Sequence, residues 1–212
     1  SSLEDTQTLR VWDRLSGEQV WRSSLGTVTD MAFSPDGTIV AIAEIAGMQL
    51  LDPTTLEQIS RTLWVTPGSG EDVYTLAWSP DGRLLAFGSL FGTVRVWDYH
   101  AENFVAELAA NDVQEIDYLR STVRDVHFSP DSSRLASISA DGTIRSWAVV
   151  TWQLIDDLAL DMLNTAATWS PDGSSLAYGS DDGRIFVIGP FSDLSAFSAA
   201  PSMVLGVNNE AD

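Results

Sequence analysis

The sequence predicts an all-β chain built of repeated antiparallel units, and three observations carry that reading. A segment of the form aromatic-Ser-Pro-Asp occurs four times: VTDMAFSPDG (28–37), VYTLAWSPDG (73–82), VRDVHFSPDS (123–132) and NTAATWSPDG (164–173). Each is followed by a small or apolar run and then by a β-rich stretch: GMQLLD (47–52), GTVRVWD (92–98), GTIRSWA (142–148) and GRIFVIG (183–189). Finally, 44% apolar and 19% charged residues in a chain of 212 suit a folded domain with a substantial core rather than a disordered acidic tail.

The elements follow in order. At the N-terminus TLRVWD (8–13) and EQVWRSS (18–24) form a strand pair, 8–24, without the segments that precede such a pair elsewhere. Repeats follow at 28–65, 73–109 and 122–158, then a partial one at 165–189 and a tail, 191–212, with a strand-like stretch at Ser202 to Val207. Within a repeat, Pro-Asp-Gly after an aromatic is a turn: Pro fixes φ and lacks a donor, Asp bonds its own backbone, and Gly takes positive φ. Asp-Gly at 141–142 and 182–183, with Phe-Gly at 91–92, marks a second hairpin turn. Between the turns, Val94, Val96 and Asp98 alternate with Thr93, Arg95 and Trp97, the period of a strand with two different faces.

Four strands in a unit of about 40 to 45 residues is the period of propeller blades, and these residues resemble the WD-repeat β-propeller family. The resemblance rests on Trp12-Asp13 and Trp97-Asp98 at the ends of third strands, Asp52 in the same place, and the four aromatic-Ser-Pro-Asp turns. It runs from about residue 8 to 189 and implies structural repeat roles for Trp12, Asp13, Asp52, Trp97, Asp98, Asp141, Trp147 and Asp182. The Gly-His pair usual before the first strand of a repeat is missing from SSLGTV (23–28), GSGEDV (68–73) and YLRSTV (118–123), which looks more like bacterial WD-type repeats than regular eukaryotic ones.

Counting strands a to d from the inside outward, the chain reads c-d, three complete a-b-c-d blades, then a-b-c. A ring closes by letting one terminus complete the blade the other began, and this count leaves a surplus strand in any four-bladed closure. The expectation is an arc of four to five blades from a larger ring of about six to eight. The arc would belong to a longer polypeptide or be completed by another chain.

Charge narrows function. Thirty acids against 11 basic residues, all of them arginine, give a formal net charge of −19. Such a surface is a poor one for nucleic acid or anionic membrane, and no apolar run is long enough for a membrane span. Without lysine or cysteine there is no Schiff base, thiolate nucleophile, disulfide or Cys-ligated metal. His100 and His127 have no sequence neighbours that form a metal or acid-base constellation, so no catalytic residue, metal or cofactor is expected. Asp156, Asp157 and Asp161 read as a solvated edge that blocks strand pairing. Acidity beyond the turn aspartates points to high salt, an extracytoplasmic rather than cytoplasmic setting, or genomic arginine bias.

The candidate partner-binding residues lie where the resemblance places top-face loops. Tyr74 and Arg124 occupy equivalent positions at the starts of first strands, and Leu90 and Phe91 stand at a hairpin turn where other repeats carry Asp. The insertion 108–122 adds Tyr118 and Arg120. Aromatic and Arg residues of this kind are enriched at binding hot spots. The leading function is a non-catalytic protein–protein interaction scaffold whose partner carries a basic surface. Its alternatives are a sensor or ligand-binding domain of a larger bacterial signalling protein and a fragment of a propeller hydrolase or lyase.

Overall fold

The computed structural model describes residues 9–23, 27–44, 47–59, 63–64, 72–110, 121–159, 164–180, 183–189 and 203–206. Its named elements are all strands. β1 (Leu9–Trp12) and β2 (Gln19–Ser23) form an N-terminal two-stranded sheet. Sheet I holds β3 (Val28–Phe33), β4 (Val40–Glu44), β5 (Gly47–Leu51) and β6 (Leu63–Trp64). Sheet II holds β7 (Val73–Trp78), β8 (Leu84–Ser89), β9 (Thr93–Asp98) and β10 (Asn103–Ala109). Sheet III holds β11 (Val123–Phe128), β12 (Arg134–Ser139), β13 (Thr143–Ala148) and β14 (Leu154–Ala159). Sheet IV holds β15 (Asn164–Trp169), β16 (Leu176–Ser180), β17 (Arg184–Ile188) and β18 (Met203–Gly206). Every pairing is antiparallel between neighbours in sequence. The sheets pack in chain order, with β3, β7, β11 and β15 side by side as the inner strands. These are the blades of a β-propeller.

The turns show why the repeated residues are there. After β3, Ser34 Oγ donates to Asp36 Oδ1 (2.6 Å), Thr38 N donates to the same oxygen (3.0 Å), and Ile39 N donates back to Ser34 Oγ (3.0 Å). The same Ser-Asp bond recurs at Ser129–Asp131 and Ser170–Asp172, both 2.6 Å. Donors from the serine hydroxyl and the following backbone N–H stabilise the ionised carboxylate, holding Asp36, Asp131 and Asp172 below the usual range, Asp172 at about 2. At the same end, aspartates closing third strands cap the next turn: Asp13 accepts from Ser16 N, Asp52 from Thr54 N and Asp98 from Ala101 N. Four residues beyond each of these, and beyond Ala148 in sheet III, the chain takes positive φ, at Gly17, Leu56, Glu102 and Trp152.

The core lies between sheets rather than within one. Ala43, Met48 and Leu50 of sheet I meet Leu76, Trp78 and Phe87 of sheet II. Ala86, Val94 and Val96 meet Val126, Phe128 and Leu135, while Ala136, Ile138 and Ile144 meet Trp169, Leu176 and Tyr178. Gly88 marks the closest approach: a Cβ there would stand 2.5 Å from Val123 Cγ1.

One expectation is corrected. Asp156 is buried, not part of a solvated edge: it accepts from Ser146 Oγ and lies 3.7 Å from Arg134 Nη1, while burial pushes its carboxyl pKa up. Its neighbour Asp157 points outward to Arg145 Nη2 at 3.1 Å; strand alternation separates the pair. Asp161 lies outside the described residues. Trp12 is 56% exposed, whereas Trp147, at the same register, is buried against residues of the sheet before it.

Candidate interaction surface

The inner strands begin, and the second hairpin turns lie, at one end of the arc. Leu90 N donates to Asp72 O (3.1 Å) and, one sheet on, Ala140 N donates to Thr122 O (2.8 Å), so each hairpin turn is tied to the approach of its own inner strand. Ser121 Oγ donates to Leu90 O (2.9 Å), which binds sheet III to the turn of sheet II. Ser89 Oγ holds that turn from beneath, accepting from Phe91 N and Thr93 N at 3.2 Å each. Leu90 and Phe91 are therefore half-buried, less exposed than apolar residues in a surface turn would be.

Tyr74 and Arg124 meet across two sheets. Arg124 Nη1 donates to Tyr74 Oη at 3.1 Å, and its guanidinium lies 5.6 Å from the Tyr74 ring centroid. The arginine is exposed and the ring half-buried, so a cation over an aromatic ring stands at the same end as the Leu90–Phe91 turn. Tyr118 and Arg120 fall outside the described residues, as does Asp182. Of the other repeat residues, Asp141 Oδ1 accepts from Thr143 N (2.9 Å), a backbone donor where the family pattern has an imidazole. Trp97 packs edge-on against Phe104 at 4.9 Å.

Sequence reasoning missed a set of cross-sheet links. Asp30 Oδ2 accepts from Leu76 N (2.9 Å) and Thr75 Oγ1 (3.2 Å), and Asp125 Oδ2 accepts from Ala167 N (3.1 Å). Each inner strand shifts register just before its third residue, and an aspartate at that place reaches the exposed backbone of the next sheet. The signal was Asp in VTD and VRD. Asp125 also pairs with His127 Nε2 at 3.0 Å, a pairing of alternate residues on one strand face. Among the described residues, no group of three or more His, Asp or Glu side chains is placed to hold a metal ion.

The family model for the WD domain, G-beta repeat, matches residues 60–98, 115–148 and 162–188. The chain is similar to a target of rapamycin complex subunit, wat1, of Schizosaccharomyces pombe, with 30% identity over 85% of this chain and 55% of that protein. It is 31% identical to the WD repeat-containing protein SL1-17 of Schistosoma mansoni, over 73% of this chain and 48% of that one. It is also 30% identical to the small ribosomal subunit protein RACK1z of Arabidopsis thaliana, over 55% and 39%. The chain thus spans about half the length of the first two of these relatives. These three are eukaryotic proteins, so the likeness to bacterial-type repeats rests on the missing Gly-His element alone. With four blades in chain order, recurring Ser-Pro-Asp turns and these matches, the chain belongs to the WD-repeat β-propeller family.

Proposed function

We propose that this chain is a non-catalytic scaffold that presents the end of the arc carrying Tyr74, Leu90, Phe91 and Arg124 to a partner protein, with Tyr118 and Arg120 on the neighbouring insertion. The Tyr74–Arg124 pair carries the reading. It is an exposed cation over an aromatic ring, held on strands, of the residue types that concentrate binding energy. Two relatives bear the names of complex subunits, the target of rapamycin complex subunit of fission yeast and THO complex subunit 3 of Arabidopsis thaliana. A net charge of −19 favours a basic partner and steers it.

Part of the same proposal is that the ring is completed by further blades, from the same polypeptide or another chain. In its support, the terminal sheets expose residues that are buried at the same register elsewhere. A pull-down with mass spectrometry tests the surface: the triple variant Tyr74→Ala, Phe91→Ala, Arg124→Ala should lose a partner the parent retains, and an unchanged set of partners would overturn it. Ring completion is tested by native mass with hydrogen exchange. A 23.0 kDa monomer whose β3 and β17 are as protected as β7 and β13 would rule it out.

A further inference from the structure

A groove of about 580 Å³ opens between sheets I and II at the end of the arc opposite Tyr74 and Arg124. Trp78, Tyr99, Pro35 and Pro80 form its apolar walls, and Asp36 and Asp81 stand at its rim. Trp78 and Tyr99 meet edge to face at 5.6 Å, a fixed aromatic corner.

The protein's own hydrogen bonds leave the two carboxylates half-used. Ser34 Oγ, Thr38 N and Thr38 Oγ1 all donate to Asp36 Oδ1, and Ser79 Oγ and Arg83 N donate to Asp81 Oδ1. Each Oδ2 is left for another donor. Among the described residues no arginine lines the groove, whose one imidazole is that of His100, and Arg83 beside Gly82 is held by Asp98 Oδ2 at 2.8 Å.

A second observation concerns the wall. Trp169 Nε1 donates to His127 O (3.2 Å), closing the junction between sheets III and IV. At the same register Trp78 is nine-tenths buried on the groove wall, and its Nε1–H has no acceptor.

The next junction differs from this one at a turn residue. Ser132 Oγ accepts from Asp81 N at 3.1 Å and ties sheet III to sheet II. Sheet II has Gly82 in that place, where an added Cβ would meet nothing nearer than Pro35 Cδ at 3.9 Å, so no side chain bridges back to sheet I.

We infer that this groove binds a basic peptide segment, its cationic side chain between Asp36 and Asp81 and an adjacent apolar residue against Tyr99 and the two prolines. A pair of carboxylates at the rim of a groove walled by aromatic rings is complementary to arginine or lysine and to no anion. This deepens the scaffold reading and rests on it only in taking the ligand to be a protein segment.

The test uses fluorescence anisotropy of a fluorescein-labelled peptide of repeated Arg-Leu-Pro, with a Glu-Leu-Pro peptide as control, against the whole chain. Saturable binding of the arginine peptide alone is expected. It should weaken at least tenfold in the double variant Asp36→Asn, Asp81→Asn, and again in Gly82→Ser, which builds here the bridge Ser132 makes and leaves the charge unchanged. Thermal melts by circular dichroism confirm that each variant is folded. Binding that survives either variant, or no binding by the parent, overturns the groove. If Tyr74→Ala with Arg124→Ala abolishes binding while the groove variants do not, the basic segment docks at the other end; the scaffold reading then stands and the groove fails.

Discussion

Sheets I and II are built from the same turns and the same strand order, yet one residue register behaves oppositely in them. The fourth and sixth residues of the inner strand are Leu76 and Trp78 in sheet II, both buried, as are their counterparts in sheets III and IV. In sheet I they are Met31 and Phe33, 51% and 63% exposed. The far end mirrors this: the second residue of the third strand is buried as Met48, Val94 and Ile144 but 38% exposed as Ile185. Each sheet offers one face to the sheet before it and the other to the sheet after, so the chemistry of a position does not decide its burial. The neighbour does. Covering Met31 and Phe33 would contribute about 2 kcal/mol each, which is why the terminal faces are places for further blades to pack.

The most severe way to break this blade-to-blade packing is at its closest approach. Gly88→Val should destabilise the protein by about 3 kcal/mol or more, because even a Cβ falls 2.5 Å from Val123 Cγ1 and the strands cannot separate without opening the junction. Urea denaturation would show this as a lowered midpoint, and a parent-like midpoint would mean that the sheets are not in register as described.

Next in size is the contrast itself. Leu76→Ala should cost about 2 to 4 kcal/mol and Met31→Ala less than about 1, measured by the same denaturation. Equal losses would show that something covers Met31 in solution.

Charge gives a third, smaller test in two opposite directions. Asp36, Asp131 and Asp172 have folded pKa values below their unfolded ones, so their contribution is present above about pH 4. It is lost as pH falls toward about 2, the folded value of Asp172. The Tm of the parent should drop across that window, and Asp172→Asn should flatten part of the drop. Asp156 runs the other way: burial raises its folded pKa, so its ionisation opposes folding as pH rises from the unfolded value through the folded one. Asp156→Asn should raise the Tm at pH 7 and lose that advantage in acid, and a lowered Tm at pH 7 would show that its bond from Ser146 outweighs desolvation.

The smallest effect tests the third-strand turns that the N-terminal sheet and sheets I to III share. Glu102 holds φ 53 where the N-terminal sheet has Gly17 at φ 70. Glu102→Gly should stabilise by up to about 1 kcal/mol, seen as a small rise in Tm; a fall would show that the side chain contributes more than the strain costs.

Much of this architecture was readable in the residues because its signals are local. Ser34, Pro35 and Asp36 make their turn with atoms within five residues, and Asp13, Asp52 and Asp98 cap turns within three. The family resemblance follows from the recurrence of those local signals. The candidate surface was readable in its identities but not in its arrangement: Tyr74 and Arg124 are 50 residues apart, and only the packing of β7 against β11 joins ring to guanidinium. Leu90 and Phe91 looked like an exposed apolar turn, whereas Ser89 and Ser121 draw it into the structure. Asp156 sits in an acidic run that resembles a solvated edge, and strand alternation turns it inward beside Ser146.

By itself, then, the sequence determined the strands, the turn chemistry, the repeat and the acidic charge, since each depends on atoms a few residues apart or on composition alone. The tertiary structure alone decided which equivalent residues are buried, which carboxylates are spent on the fold, and where Trp78 lacks the acceptor that Trp169 has. Those properties depend on the sheet next door, and residues 40 to 50 positions apart reveal their contacts only once the blades have packed.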